Sequence, residues 1–200
     1  MMLPTHAIAG LAIAAPLLVL APDHAAVALA GGLVGGLVPD LDLYSGHRRT
    51  LHYPSGYTLA AVPAVGFAAV LQTPLLVAFA FVLMGAALHC RMDRYGGGLE
   101  LRPWEATSER AVYDHVRGRW RSPKRWIQYD GAPTDAGLMV LVGAPLFVVL
   151  DGPFQWVVAA ALATGATYAL LRRRLATLAP VVFGNVPEPI SAHVPDRYRQ

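Results

Sequence analysis

Apolar residues in this chain fall into long blocks with short polar punctuation between them, rather than into the one-sided stripes of a surface helix. Blocks that are hydrophobic all round are the mark of helices whose surroundings are as apolar as their core. Six spans are expected, over residues 3–21, 25–38, 57–71, 75–89, 136–150 and 154–171. Pro22-Asp23-His24, Gln72-Thr73-Pro74 and Asp151-Gly152-Pro153 read as the tight turns between paired spans. In the second block Gly31 with Gly35, and Gly32 with Gly36, make two overlapping small-xxx-small pairs that let helices approach closely. Pro63 inside the third predicts a kink.

The pattern changes between 90 and 135, where nine Arg or Lys residues, Gly96-Gly97-Gly98 and three tryptophans form a polar insert. Within it Thr107 or Ser108 would cap a short helix through about Arg117, with Ala111, Val112, His115 and Val116 as its weak apolar face. Arg172, Arg173 and Arg174 are expected to stop the sixth span. Residues 175–200 read as a cytoplasmic tail on a single transmembrane domain of residues 1–174, irregular from about 180 with Pro180, Pro187, Pro189 and Pro195.

Composition sharpens this picture. With 55% hydrophobic and only 14% charged residues, the chain is far from the roughly one-quarter charged fraction of soluble domains. The expected fold class is all-α, a polytopic membrane protein of about six helices with a polar insert at the cytoplasmic face. No positive residue precedes the first block, which argues against a cleaved signal peptide. All 16 basic residues lie in 40–56, in the insert or after 171, and the three tight turns hold none. That alternation places both termini in the cytoplasm, in a multi-pass protein of the inner or plasma membrane. It also accounts for the net charge of +3 without nucleic acid, which is not expected as a partner. A single cysteine, Cys90, excludes an intrachain disulfide and reads as a small buried side chain.

The chemistry concentrates where the second block ends, at Pro39-Asp40-Leu41-Asp42 and on through His47-Arg48-Arg49-Thr50-Leu51-His52. Carboxylates and imidazoles crowded at the mouth of an apolar segment are costly unless a cation neutralises them. Pro39 should end the helix, and an extended segment after it would turn Asp40 and Asp42 to the same ion. His89 and Asp93 share one face of the fourth span, a spacing that chelates a metal but also suits a helix-end ion pair. With His6 at the start of the first span, the metal pool is His6, Asp40, Asp42, His47, His52, His89 and Asp93, and the predicted topology brings all seven to one face. Seven candidates exceed one four-coordinate ion, so one or two divalent ions are expected, with some residues orienting the others. The histidine count favours zinc. A spare carboxylate, Asp40 or Asp42, would accept a proton, and Arg48 or Arg49 would clamp a phosphate or carboxylate oxygen. Plainer readings are Asp40 and Asp42 as turn formers and the basic loop as a lipid-phosphate contact.

His6, Gly36-x-x-Pro39-Asp40-x-Asp42, His47-Arg48-Arg49-Thr50-x-His52 and His89-x-x-x-Asp93 with later glycines and Pro103 resemble the YdjM-type family of membrane-bound metal-dependent hydrolases. The resemblance covers residues 1 to about 105. It implies an inner-membrane hydrolase, a family in which some members are compared with zinc-dependent phospholipase C and some are called LexA-binding. The expected activity is metal-activated water attacking an ester or phosphoester of a lipid or membrane-delivered small molecule at the cytoplasmic face. The alternatives are a metal-ion or proton-coupled transporter, and a non-catalytic, metal-stabilised scaffold or regulatory protein that binds a partner through the insert.

Overall fold

A computed structural model describes residues 1–187, 189 and 192–198; the expectation of an irregular tail at 188, 190, 191, 199 and 200 lies outside the described residues. In chain order the elements are α1 (Leu3–Ala14), α2 (Leu17–Leu20), α3 (Pro22–Leu37), a 3-10 helix (Val38–Tyr44), α4 (Pro54–Leu71) and α5 (Pro74–Tyr95). A two-stranded hairpin, β1 (Val112–Asp114) and β2 (Arg119–Arg121), then precedes α6 (Pro133–Val149) and α7 (Gly152–Gly184). Each of the six long helices has a proline in its first turn. There the missing N–H is no loss, because the first amides of a helix have no partner within it.

Five stretches are long and apolar enough to cross a membrane: Leu3–Leu20, Pro22–Leu43, Pro54–Leu71, Pro74–Tyr95 and Gly152–Gly184. The sixth expected span, α6, is apolar but shorter. Large apolar side chains such as Val19, Leu59, Phe67, Val148 and Leu170 are exposed along these helices. Contiguous apolar surface of that extent needs an apolar neighbour.

The glycine pattern of α3 positions everything else. Gly32 and Gly36 meet the backbone of α1 at Gly10 and His6, while Gly31 and Gly35 meet that of α5 at Ala78 and Val82. A Cβ at any of the four would fall inside a carbonyl oxygen of the neighbouring helix. The two overlapping pairs therefore serve two different neighbours, and α3 lies between α1 and α5 with almost no side-chain spacer. Helix α4 packs on α5, and α6 and α7 pack on each other and on α1. Ile8, Leu11, Leu29, Phe81, Met139 and Val158 fill the core between them.

Three expectations are corrected. No helix follows Thr107; the segment is the β1–β2 hairpin, turned at Gly118 with φ +62°, and the rings of Tyr113 and Trp120 meet edge to face across it. Asp114, fully buried, locks the turn by accepting from the amides of Val116 and Arg117 and from the side chains of Ser55 and Arg121. Arg172–Arg174 do not stop the last helix, which runs on to Gly184. Arginine is a good helix former, and Arg172 finds a carboxylate, Asp130, on the insert side. Finally, α3 does not give way to an extended segment at Pro39 but tightens into the 3-10 helix. Pro39 sits in the first turn of that helix, where its ring is tolerated.

Candidate metal centre

Four elements end at one place. His6 comes from the first turns of α1, Asp40 and Asp42 from the 3-10 helix, His47, Arg48 and His52 from the loop before α4, and His89 and Asp93 from the last turns of α5. Because a 3-10 helix has three residues per turn, Asp40 and Asp42 point in different directions. This overturns the expectation that both face one ion, and it separates their roles.

Asp40, His52, His89 and Asp93 each offer one ligand atom, and the four atoms all lie within 4.8 Å of one another. His89 Nε2 is 3.4 Å from Asp40 Oδ1 and 3.4 Å from Asp93 Oδ2. His52 Nε2 is 3.2 Å from Asp93 Oδ2 and 3.7 Å from Asp40 Oδ1. Bonds of about 2.0–2.1 Å to a tetrahedral ion put neighbouring donors about 3.4 Å apart. The four measured edges bracket that spacing.

Tautomers decide what belongs in the middle. His89 Nδ1 donates to the carbonyl of Gly36 at 2.8 Å, so in the neutral ring Nε2 carries a lone pair, and that buried atom has no hydrogen-bond partner. With its proton on Nδ1, given to Asp42 Oδ2 at 2.9 Å, the shorter of its two carboxylate contacts, the neutral His52 ring has a lone pair on Nε2, 3.2 Å from Asp93 Oδ2. Two lone pairs aimed at two carboxylate oxygens repel unless a proton or a cation lies between them. The donor set of two imidazole nitrogens and two carboxylate oxygens suits zinc or another divalent first-row ion, so the group could hold a metal ion.

The other predicted residues surround these four. Asp42 is fully buried and accepts from the amides of Arg48, Arg49 and Leu51 as well as from His52, with His47 Nδ1 3.2 Å away. It fixes the loop and the ring of His52 from behind, and its two oxygens are already occupied. His6 donates through Nε2 to Asp93 Oδ1 at 3.1 Å, which also accepts from the Met1 amino nitrogen at 3.0 Å. The His6 ring stacks on His89 with centroids 3.7 Å apart, a distance that the glycine contacts of α3 permit. His6 thus orients two of the four donors without supplying one. His47 is 3.8 Å from Asp40 Oδ1, at the rim.

The two arginines part company. Arg48 is buried with φ +61°, its guanidinium donating to the carbonyl of Gly97 at 2.8 Å and its Nε 3.4 Å from Asp93 Oδ2. Holding an arginine in the left-handed region costs about 1 kcal/mol or more, offset here by the carboxylate it reaches. Arg49 is exposed and lies over the ring of Tyr113 at 4.8 Å. Its amide, not its guanidinium, serves the site.

Outside the spans, charge is set by neighbours. Burial alone would depress the pKa of His52, but its bonds to Asp42 and Asp93 raise it above the ordinary histidine value. His47 is pushed down, by burial first and by the Arg48 charge. Beside the donors is a cavity of about 570 Å³, lined by Asp40, Asp93, His47 and Arg48 together with Leu3, Leu43 and Leu101. Asp130, Arg172 and Arg197 also line it. Burial would raise the Asp130 carboxyl there, but the Arg172 guanidinium, 2.9 Å away, holds it below the usual carboxylate range. Sequence spacing carried no signal for the Asp130–Arg172 pair, because 42 residues separate its members.

Comparison with protein-family models, with curated proteins and with solved structures gives no match.

Proposed function

We propose that the chain is a multi-pass membrane protein with a metal-dependent hydrolytic site at the cytoplasmic end of its helices, acting on an ester or phosphoester of an amphiphilic substrate. One observation carries this reading: Nε2 of His89, whose Nδ1 donates to the Gly36 carbonyl, and Nε2 of His52, whose Nδ1 faces Asp42, meet two carboxylate oxygens at ligand spacing, beside a cavity whose mostly apolar lining also includes Arg48 and His47. A divalent cation bound there would supply Lewis acidity toward water and toward a scissile oxygen. Asp42, Gly36 and His6 hold the donor side chains in place. Asp40 is the least buried of the four donors and lines the cavity, so its carboxylate is the one that would accept a proton from water. Arg48, Arg172 and Arg197 are the guanidiniums in the cavity lining; Arg48 and Arg172 already face Asp93 and Asp130, so Arg197 is the one we propose to meet an anionic group. The motifs shared with YdjM-type hydrolases support the same reading, and the charge alternation of the loops supports the cytoplasmic orientation.

A second reading has one specific point in its favour. Four protein donors are the number of a closed structural zinc site, whereas hydrolytic sites keep a position for water. The two separate on the Co²⁺-substituted protein. A catalytic site changes its visible absorption when azide or inorganic phosphate is added, and a closed one does not. In parallel, a screen of ester and phosphoester amphiphiles on metal-loaded and stripped protein should find turnover that the metal restores. A site that binds metal, ignores added anions and turns over nothing would leave only the structural reading.

A further inference from the structure

Arg91 leaves α5 on a different face from His89 and Asp93, two residues or about 200° of rotation from each, and Arg94 is turned about 100° from Asp93 and lies within about 60° of Arg91. That face borders a separate cavity of about 550 Å³, enclosed by the start of α4, the end of α5 and the β1–β2 hairpin. Arg91, Arg94, Arg117 and Arg121 line it, with Ser55 and Thr58, and no carboxylate is among its lining residues. The acid behind it, Asp114, already accepts from Arg117 at 3.3 Å and Arg121 at 2.6 Å. Neither Arg91 nor Arg94 has a carboxylate partner among the described residues, and Arg94 Nε is buried without any hydrogen-bond partner. The chamber therefore carries positive charge that the protein does not balance.

The chamber does not end at the arginines. It runs into a groove of about 530 Å³ that shares Thr58, Ala87 and Arg91 with it and is otherwise apolar, lined by Val62, Val65, Met84 and Leu88 as far as Ile13. From Thr58 to Val65 the groove follows α4 for about 10 Å along the helix axis. A soluble phosphate would fill the chamber and leave the groove bare. An uncharged chain would fill the groove and leave the guanidiniums unpaired. Only a molecule with an anionic head and an apolar tail meets both.

We propose that this composite cavity binds one anionic phospholipid of the surrounding bilayer, with its phosphate held among Arg91, Arg94 and the hairpin arginines and one acyl chain laid in the α4–α5 groove. The phosphate oxygens supply the acceptors that Arg94 and Arg91 lack, as charge-assisted bonds. The lipid would also pin the hairpin to α4 and α5. The inference rests on the bilayer placement proposed above and is independent of the metal centre.

The test uses the full chain in nanodiscs of phosphatidylcholine, doped with phosphatidylglycerol, with retained lipids counted by native mass spectrometry after transfer to detergent. One phosphatidylglycerol is expected to be retained at least tenfold over phosphatidylcholine. The Arg91→Gln/Arg94→Gln double variant should lose that preference at least tenfold while keeping wild-type helicity and metal content; Arg117→Gln alone should lose part of it. Val62→Trp, which fills the groove, should reduce retention of both lipids. Equal retention of the two headgroups, an unchanged double variant, or displacement by millimolar inorganic phosphate would overturn the proposal, the last by making the chamber a site for soluble anions. Failure of the wild type to enter nanodiscs would overturn the bilayer placement, and this proposal with it, without touching the metal reading.

Discussion

Asp42→Asn separates a metal centre with a built support from a chance meeting of polar groups. Asp42 is not one of the four donors; its Oδ2 accepts from His52 Nδ1 at 2.9 Å and from the amides of Leu51 and Arg49 at 3.1 and 3.3 Å. Asparagine keeps the shape but offers one acceptor oxygen, so an NH2 group must face either the three donors on that side or the Arg48 amide on the other. If it faces His52, the imidazole is driven to put its proton on Nε2, the atom that would bind the ion. Loss of such an orienting partner typically costs 10–100-fold in metal affinity. At about 1.4 kcal/mol per tenfold, that is about 1.4–2.7 kcal/mol. The assay is competition for Zn²⁺ against a chelating dye with stripped protein in detergent, with helicity checked by circular dichroism. His89→Ala, which removes a donor outright, should abolish stoichiometric binding. Asp42→Asn binding as tightly as wild type would refute the orienting role, and wild-type protein that takes up no divalent ion would refute the centre itself.

Stability should respond to pH in opposite directions with and without metal. In stripped protein the raised pKa of His52 adds stability that is complete below its unfolded value of 6.5 and is lost as pH climbs through the folded value. With Zn²⁺ the cation replaces the proton, so stability should rise over the same window, read as thermal midpoints with chelator or metal. Gly35→Val places carbon against the Val82 carbonyl and the Ala86 amide, backbone that cannot move aside, and should cost about 1–3 kcal/mol with loss of metal binding. Gly66→Ala on α4, where nothing lies within 4 Å, should be neutral or slightly stabilising in the same thermal assay. Asp114→Ala strips the hairpin of its central acceptor; Arg117 and Arg121 reach water, so the cost should stay near about 2 kcal/mol. Faster limited proteolysis between 99 and 131 would report it, and an unchanged digestion pattern would count against the lock.

Much of the fold was legible because membrane-like helices leave coarse marks. The apolar blocks, the turns that separate them and the glycine pairs of α3 each act locally, and the structure uses them. The donor set was legible for a similar reason: Asp, His and a proline-broken helix end have few inexpensive uses at the mouth of an apolar segment. The division of labour within it was not. It depends on 3-10 rather than extended geometry after Leu37, which turns Asp42 away from Asp40, and on His6 reaching the far oxygen of Asp93. The hairpin escaped because Val112, Tyr113 and Trp120 pair across only three residues per strand, too short a run for alternation to stand out. Helix α7 outran its expected end because an arginine triplet marks where an apolar block stops, while Arg172 pairs with Asp130 as the helix goes on.

The Tyr113 amide donates to the Arg48 carbonyl at 2.9 Å, and Arg48 reaches Asp93 with its side chain. The hairpin is thereby tied to that carboxylate through a single residue, Arg48, whose backbone is held in the left-handed region. Whatever grips the insert from outside would act on a carboxylate of the candidate metal centre.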